Sequence, residues 1–280
     1  MKQYTLGLYE KAMPKELSWR EKLTAAKEAG YDFVEISIDE MEEKLARLDM
    51  PKEERIGLVD LMAEIGVPIR TMCLSGHRKY PLGSNDPVIC ARGMEIMQKA
   101  VTLAADLGIR IIQLAGYDVY YEQGSEETRT RFEENLKKAT LMAARDGILL
   151  GFETMETEFM NTVGKAMKYV NLVNSPYLNV YPDVGNITNA AVTYGTDVLE
   201  DLRSGQGHIV AVHLKETVPG KFREIPFGTG HVNFKDITHT AYALGVRRYV
   251  TEFWYVGNSK WKKDLDFART MMSDLLDQKA

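Results

Sequence analysis

Amphipathic segments that end in glycine alternate with short apolar runs along the chain. The glycines are Gly30, Gly66, Gly108, Gly147 and Gly245, and an apolar run begins within a few residues of each. A glycine at a helix end adopts a left-handed conformation that lets the chain turn back. The apolar runs suit strands buried on both faces, as in a parallel sheet covered by helices. The pattern therefore predicts strands that alternate with helices.

Signals for helix starts agree with this alternation. Ser18 and Glu21 have the spacing of a capping box, and Ser125 precedes an acidic first turn. Pro51 and Pro87 suit the first turn of a helix, where a missing backbone N–H costs nothing. Each of these residues stands just before a segment that the glycine pattern predicts as helical.

Three further stretches, at residues 6–8, 178–181 and 207–216, bring the number of predicted strands to eight. Eight alternating βα units are the number found in a closed barrel. We therefore predict an α/β fold, a single (β/α)8 TIM barrel that spans residues 1–280. A doubly wound open sheet is the alternative, but no GxGxxG turn follows the first strand.

Polar side chains with metal-binding chemistry lie where the later predicted strands end. They are Glu153 at the fifth strand, Asp183 just beyond the sixth, His213 at the seventh and Glu252 at the eighth. Their spacing of roughly 30 to 40 residues is one βα repeat, so they should lie around one rim of the barrel. Three carboxylates and an imidazole need a divalent cation to offset their repulsion and desolvation. Mixed oxygen and nitrogen ligands suit manganese, zinc or magnesium.

Each of these positions also has a structural interpretation. Asp183 could begin a turn, and a histidine alone on an apolar strand is more often a hydrogen-bonded core residue than a ligand. His208 is the alternative to His213, but it precedes the strand and should lie near the opposite face of the barrel. Glu35, on the second strand, could belong to an inner layer of the barrel or to its mouth and is left outside the predicted site.

Composition narrows the possible partners and location. A net charge of −5 and a pI of about 5.7 argue against nucleic-acid binding, which needs a basic face. Neither a signal peptide nor a run of about 18 apolar residues is present, so we expect no membrane partner. Cys73 and Cys90 are expected to be reduced thiols in a cytoplasmic protein.

Five local motifs occur in register along the chain. They are CLSGHRKYPLGS at residues 73–84, FMN at 159–161, YPDVGN at 181–186, VAVHLK at 210–215 and PFGTG at 226–230. Together they resemble the bacterial L-ribulose-5-phosphate 3-epimerases, also called L-xylulose-5-phosphate 3-epimerases. The likeness runs from the first strand to the last helix. That family belongs with the xylose-isomerase-like barrels and the ketose 3-epimerases.

The resemblance implies a metal-dependent epimerase that interconverts L-ribulose 5-phosphate and L-xylulose 5-phosphate in L-ascorbate or related pentose catabolism. Matched by motif, its metal ligands would be Glu153, Asp183, His213 and Glu252, the four residues already selected from the strand ends. Glu153 and Glu252 would exchange the roles of base and acid with the direction of reaction. The expected cofactor is manganese or zinc, with magnesium as an alternative. A homodimer is expected from the resemblance alone.

Substrate contacts are expected beside the metal and at the phosphate end. Asn186 and Glu156 are candidates for substrate hydroxyls, although Glu158 competes with Glu156 and the family often has aspartate at that point. Backbone N–H groups of a glycine-rich loop often bind phosphate in barrels. The phosphate candidates are Ser75, His77, Arg78, Lys215, Lys221, Gly228 and Gly230.

Other functions are compatible with the same residues. An aldose–ketose isomerase or an epimerase of free ketoses would use the same metal and carboxylates. A noncatalytic sugar-phosphate sensor with a structural metal would come from another class. A metal-dependent endonuclease is disfavoured by the acidic composition and by the presence of only five histidines.

Overall fold

Eight parallel strands form the centre of the protein, as a computed structural model that describes residues 2–278 shows. Each predicted strand is present, which confirms the (β/α)8 prediction. The strands are β1 (Thr5–Tyr9), β2 (Phe33–Ile38), β3 (Ile69–Leu74), β4 (Ile111–Ala115), β5 (Leu149–Glu153), β6 (Leu178–Val180), β7 (Val212–Leu214) and β8 (Arg248–Thr251).

The helices lie between the strands and after the last one. They are α1 (Trp19–Glu28), α2 (Glu42–Leu45), α3 (Lys52–Ile65), α4 (Pro87–Leu107), α5 (Glu126–Arg145), α6 (Val163–Val173), α7 (Val184–Tyr194), α8 (Val198–Arg203), α9 (Phe234–Ala243) and α10 (Trp261–Asp277). Short 3₁₀ helices follow β1, β3 and β5, where they shape the mouth of the barrel. No helix in residues 2–278 is long and apolar enough to cross a membrane.

The predicted helix boundaries have the expected hydrogen bonds. Ser18 and Glu21 form both bonds of a capping box at α1, and Ser125 caps α5. Pro87 occupies the first turn of α4, whereas Pro51 stands one position earlier, just before α3. Gly66 ends α3 with a φ of 83°, in the left-handed region that only glycine adopts without strain.

The sheet closes between β6 and β7 through a short seam. In the strand order β6-β5-β4-β3-β2-β1-β8-β7, the two ends meet through isolated parallel bridges that pair Val180 with Ile209 and Asp183 with His213. The His213 N–H donates to Pro182 O at 2.9 Å. The seventh strand is therefore shorter than the predicted residues 207–216, because its pairing with β6 is interrupted between these bridges.

Side chains along each strand alternate between two environments, as strand geometry requires. On β2, Val34 and Ile36 pack into the core between sheet and helices, whereas Phe33 lies inside the barrel with side chains from other strands. Glu35 has the same orientation as Phe33 and is fully buried. The barrel interior is thus apolar at one level and carries ionisable side chains nearer the mouth.

Truncation of Ile36 tests the core between sheet and helices. Ile36→Ala should lower the free energy of unfolding by about 2 to 5 kcal/mol, because it leaves a cavity where the side chain is fully buried. Ile56→Ala is the matched control, since Ile56 on α3 is 52% exposed and should change stability by less than about 0.5 kcal/mol. Urea denaturation followed by circular dichroism measures both; equal losses would contradict the described packing.

Candidate active site

Three carboxylates and one histidine meet at the carboxyl-terminal mouth of the barrel. Glu153 ends β5, Asp183 stands just before α7, His213 lies in β7 and Glu252 directly follows β8. Each offers one ligand atom, and the four atoms lie within 4.8 Å of one another. All four side chains are buried. The structure thus brings together the four residues selected from the strand ends.

The start of helix α7 orients Asp183. Its Oδ1 accepts the Asn186 N–H at 2.7 Å, which is the N-cap bond of that helix. Its Oδ2 is buried and accepts no aligned hydrogen bond, although Lys215 Nζ lies 3.1 Å away. Oδ1 is therefore held by the start of helix α7, and Oδ2 faces the other side chains of the cluster.

The two ring nitrogens of His213 have different surroundings. Nδ1 faces the cluster, 3.0 Å from Glu252 Oε2 and 4.0 Å from Glu153 Oε1. Nε2 lies 2.5 Å from Glu35 Oε1, on the side of the barrel interior. The amide nitrogen of Gln113 lies 3.1 and 3.3 Å from the two ring nitrogens.

The proximity of these charges changes their proton affinities. Burial, reinforced by Glu252, raises the pKa of Glu153 to about 8. Burial also raises the pKa of Asp183 to about 7, against the attraction of Lys215. For Glu252, burial alone would raise the pKa, but Lys215 and His213 outweigh it and lower the pKa below the ordinary range. Without a cation, this cluster therefore does not hold all its carboxylates ionised at neutral pH.

The donor set fits a divalent cation. Three carboxylates and one imidazole are hard oxygen and nitrogen ligands of the kind that manganese, zinc and magnesium bind. Asp183 Oδ2 accepts no aligned hydrogen bond, and the raised pKa values of Glu153 and Asp183 indicate that Lys215 and His213 do not fully offset the carboxylate charges. The cluster can therefore hold a metal ion, which would supply that charge.

A pocket opens from the cluster toward solvent. Glu153 and Glu252 of the cluster line it, together with Asn186 and Lys215. The lining also contains the basic side chains Lys11, Arg78 and Arg223, which we call the basic wall. The aromatic side chains Tyr9, Phe222 and Trp254 line it as well, with Ser75, Cys73, Met155 and Glu156 completing the lining. The pocket thus carries both carboxylates and positive charges.

Glu156 also lines this pocket. Its carboxylate accepts hydrogen bonds from Tyr117 at 2.8 Å and Tyr120 at 3.3 Å, and Arg223 lies at 3.4 Å. Burial alone would raise the pKa of Glu156, but its own backbone N–H, the Tyr117 hydroxyl and the nearby Arg223 and Arg78 together lower it. Glu158, the competing candidate, is exposed on the 3₁₀ helix after β5. The structure therefore brings Glu156, and not Glu158, to the pocket.

Four predicted phosphate contacts lie elsewhere. His77 is buried with Nε2 3.1 Å from Gly93 O, and burial lowers its pKa to about 4, so it is neutral. Lys221 belongs to a turn in which its backbone pairs with Val218. Gly228 and Gly230 pack around a buried carboxylate, that of Glu216. The structure does not place any of these four on the pocket wall.

The carboxylate of Glu216 organises the long loop after β7. It accepts backbone N–H groups from Thr217 at 3.2 Å, Gly228 at 3.0 Å and Val232 at 3.1 Å. A Cβ atom at Gly230 would collide with this carboxylate and with Thr217 O. The glycines of the PFGTG motif thus serve the folding of the loop, and the loop carries Phe222 and Arg223 into the pocket.

Sequence reasoning missed several pocket residues. Lys11 lies two positions beyond β1, Arg223 lies in the long loop after β7, and Trp254 follows Glu252 by two positions. Lys11 and Trp254 could have been found by extending the search for strand-end residues by one turn. No local pattern marks Arg223, because its position depends on how the loop folds.

Comparison with known proteins identifies the class. A family model described as xylose isomerase-like TIM barrel matches residues 23–271, and the chain belongs to that family. A solved structure of L-ribulose 3-epimerase has a TM-score of 0.78 at 18% identity and covers 99% of this chain and 95% of its own. A likeness at that identity supports the fold alone.

Within this class, closer relatives share the length of the chain. A protein of Salmonella heidelberg (strain SL476), named L-ribulose-5-phosphate 3-epimerase UlaE, is 48% identical over 254 residues, or 90% of this chain and 88% of the relative. A protein of the same name from Salmonella typhimurium (strain LT2) matches to the same extent. The chain belongs to the family of these epimerases, as the five sequence motifs predicted.

Metal affinity tests the cluster. Loss of a residue that only hydrogen-bonds to a metal ligand typically weakens metal binding by roughly 10- to 100-fold. Asp183→Asn should weaken binding of Mn²⁺ by more than this, because it removes a charged ligand while asparagine still caps α7. Asp197→Asn is the matched control: it changes the exposed cap of α8, whose Oδ1 accepts the Leu199 N–H at 2.7 Å. Titration of metal-free protein against a chromophoric chelator measures both. Unchanged affinity in Asp183→Asn would exclude Asp183 as a ligand.

Proposed function

We propose that the protein is an isomerase that interconverts L-ribulose 5-phosphate and L-xylulose 5-phosphate by inversion at C3. The observation that carries the proposal is the buried cluster of Glu153, Asp183, His213 and Glu252, which opens into a pocket with a separate basic wall. The relatives at 48% identity, which are named for this reaction, support the choice of substrate.

The reaction requires removal of the C3 proton next to the C2 carbonyl and its return to the opposite face. The charge that develops is that of an enediolate, and a divalent cation at the cluster would stabilise it as a Lewis acid. The residues of the chain must then hold the sugar with C3 between two groups that can carry a proton.

Glu153 and Glu252 are our candidates for those two groups. Both carboxylates line the pocket, and they come from β5 and β8, which lie three strands apart around the barrel. They therefore reach the bound sugar from different sides. We propose that one acts as base and the other as acid, with the roles exchanged for the reverse reaction.

Lys215 and Asn186 form a pair beside the cluster. Lys215 Nζ donates to Asn186 Oδ1 at 2.8 Å, and the Asn186 amide donates to Thr154 O at 2.7 Å. Because the amide is held at both ends, we propose that it fixes Lys215 toward the oxygens of the sugar. Glu156, held by two tyrosines, is the candidate for a more distant hydroxyl.

The basic wall is our candidate for the phosphate end. Arg78 lies over the Tyr120 ring at 5.0 Å, which limits its motion, while Arg223 and Lys11 reach the same pocket. Ser75 adds a hydroxyl donor on this wall. Charged donors of this kind bind phosphate strongly, arginine by paired hydrogen bonds. We propose this wall in place of the group that includes His77, Lys221 and the two loop glycines.

The remaining expectations are part of the same proposal. We propose that the cofactor is manganese or zinc, with magnesium as the alternative, and that the active form is a cytoplasmic homodimer. We also propose a role in L-ascorbate degradation, which the resemblance of the five sequence motifs to these epimerases implies.

Solvent deuterium exchange separates the candidate reactions. With Mn²⁺ in D2O, the protein should label C3 of the pentulose phosphate without moving the carbonyl, because enolisation is directed to C3. Mass spectrometry and NMR of recovered substrate locate the label. Label confined to C1, or a carbonyl shift, would indicate an aldose–ketose isomerase. Absence of any turnover together with binding would indicate a sensor.

Glu153→Gln tests the proposed proton carrier. Turnover should fall by about 10²- to 10⁴-fold, since the amide cannot exchange the proton, while ligand binding remains measurable. Glu158→Gln is the matched control, because Glu158 is exposed five positions further along and should leave turnover unchanged. A Glu153→Gln variant that is as active as the control would contradict the assigned role.

The phosphate wall predicts a difference between two substrates. Arg223→Ala should raise the KM for the phosphorylated pentulose by about 10- to 100-fold, the loss of one charge-assisted hydrogen bond, and have little effect on free L-ribulose. Lys221→Ala is the control from the same loop, because Lys221 does not line the pocket. Steady-state kinetics with both substrates provide the readout. An equal effect on both substrates, or a larger effect in Lys221→Ala, would argue against the proposed wall.

A further inference from the structure

A further buried carboxylate lies inside the barrel, away from the pocket. Glu35 is in the middle of β2, pairs in register with Tyr9 of β1, and is fully buried. It does not line the pocket at the mouth. The site described above leaves this residue without a role, although carboxylates are rarely buried so completely without one.

Both oxygens of Glu35 are engaged. Oε1 lies 2.5 Å from His213 Nε2, and Oε2 accepts the Tyr181 hydroxyl at 2.9 Å. Among the ion pairs of residues 2–278, Glu35 pairs with His213 alone and has no lysine or arginine partner. The carboxylate is therefore held in one orientation, and its charge faces the imidazole.

The geometry determines which nitrogen of His213 is available to the cluster. Nδ1 lies near Glu252 and Glu153, so Nδ1 is the nitrogen that can donate a lone pair to a cation. A neutral imidazole that uses the Nδ1 lone pair carries its proton on Nε2. That proton points to a fixed acceptor, Glu35 Oε1.

We infer that Glu35 is a positioning residue for the metal centre, which holds His213 in the ring orientation and tautomer that present Nδ1 to the cation. The inference rests on the proposed metal-dependent function. A carboxylate that accepts the second N–H of a ligating histidine also makes the ligating nitrogen more basic. Tyr181 completes the arrangement, because its hydroxyl keeps Glu35 from rotating away from the imidazole.

A structural role for Glu35 would have a different signature. If the residue only filled the barrel, its replacement would lower the stability of the metal-free protein and leave metal affinity unchanged. If it positions His213, the affinity for the cation falls. The two roles are therefore separated by measuring how tightly the metal-free protein binds the cation, and not by measuring activity.

Glu35→Gln should weaken binding of Mn²⁺ or Zn²⁺ by about 10- to 100-fold in competition with a chromophoric chelator. The amide keeps the size of the side chain but loses the charge. Asp118→Asn is the matched control: Asp118 is buried outside the cluster, its Oδ2 accepts the Thr128 hydroxyl at 2.8 Å, and its replacement should leave metal affinity unchanged. Wild-type affinity in Glu35→Gln would overturn the inference.

A second variant covers the case in which Glu35→Gln does not fold. Tyr181→Phe leaves the contact between Glu35 and His213 in place and removes the support of Oε2, so we expect a smaller loss of affinity. In the zinc-loaded wild type, proton NMR should show a slowly exchanging His213 Nε2 proton; faster exchange in Tyr181→Phe supports the inference, and unchanged exchange and affinity contradict it. Failure of the wild type to bind any divalent cation would instead refute the proposed function, and this inference with it.

Discussion

Electrostatic repulsion within the mouth of the barrel is the constraint on which the candidate site depends. A parallel barrel brings the ends of neighbouring strands together, so carboxylates at those ends must share a small, buried volume. Here Glu153, Asp183 and Glu252 do so, and burial, reinforced by the charge of Glu252, raises the pKa values of the first two. Lys215 and His213 supply part of the missing positive charge. A divalent cation would supply the rest, which links the site chemistry directly to the fold.

Much of the fold could be predicted from the sequence because its determinants are local. Glycine at a helix end and a serine cap act within a few residues, and both kinds of signal occur where the helices end or begin. The approach of Glu153, Asp183, His213 and Glu252 to one another was also predictable, because a strand end defines a place in a barrel without knowledge of any loop. Asp183 needed the most context, since its turn composition alone is equally typical of an ordinary helix start.

The wall proposed to bind phosphate could not be predicted from the sequence in the same way. His77 belongs to a promising motif, but its burial against Gly93 of α4 removes it from the pocket and from its charged form. Arg223 lies in a loop whose backbone donates to the Glu216 carboxylate from Gly228 and Val232, 12 and 16 positions further along the chain, so its place in the pocket depends on contacts that no local pattern shows. The partner of Glu35 could not be predicted either. Its inward orientation follows from strand alternation, but its partner His213 is 178 residues away in the sequence.

The short seam between β6 and β7 has a thermodynamic consequence. Asp183 and His213 form one of its two bridges, so two members of the candidate metal centre stand on opposite edges of the sheet at the point where it closes. A cation bound by both Asp183 and His213 would link the two ends of the sheet across this seam. If a cation bound only the closed form, it would favour that form by mass action, and metal binding and closure of the barrel would be linked equilibria.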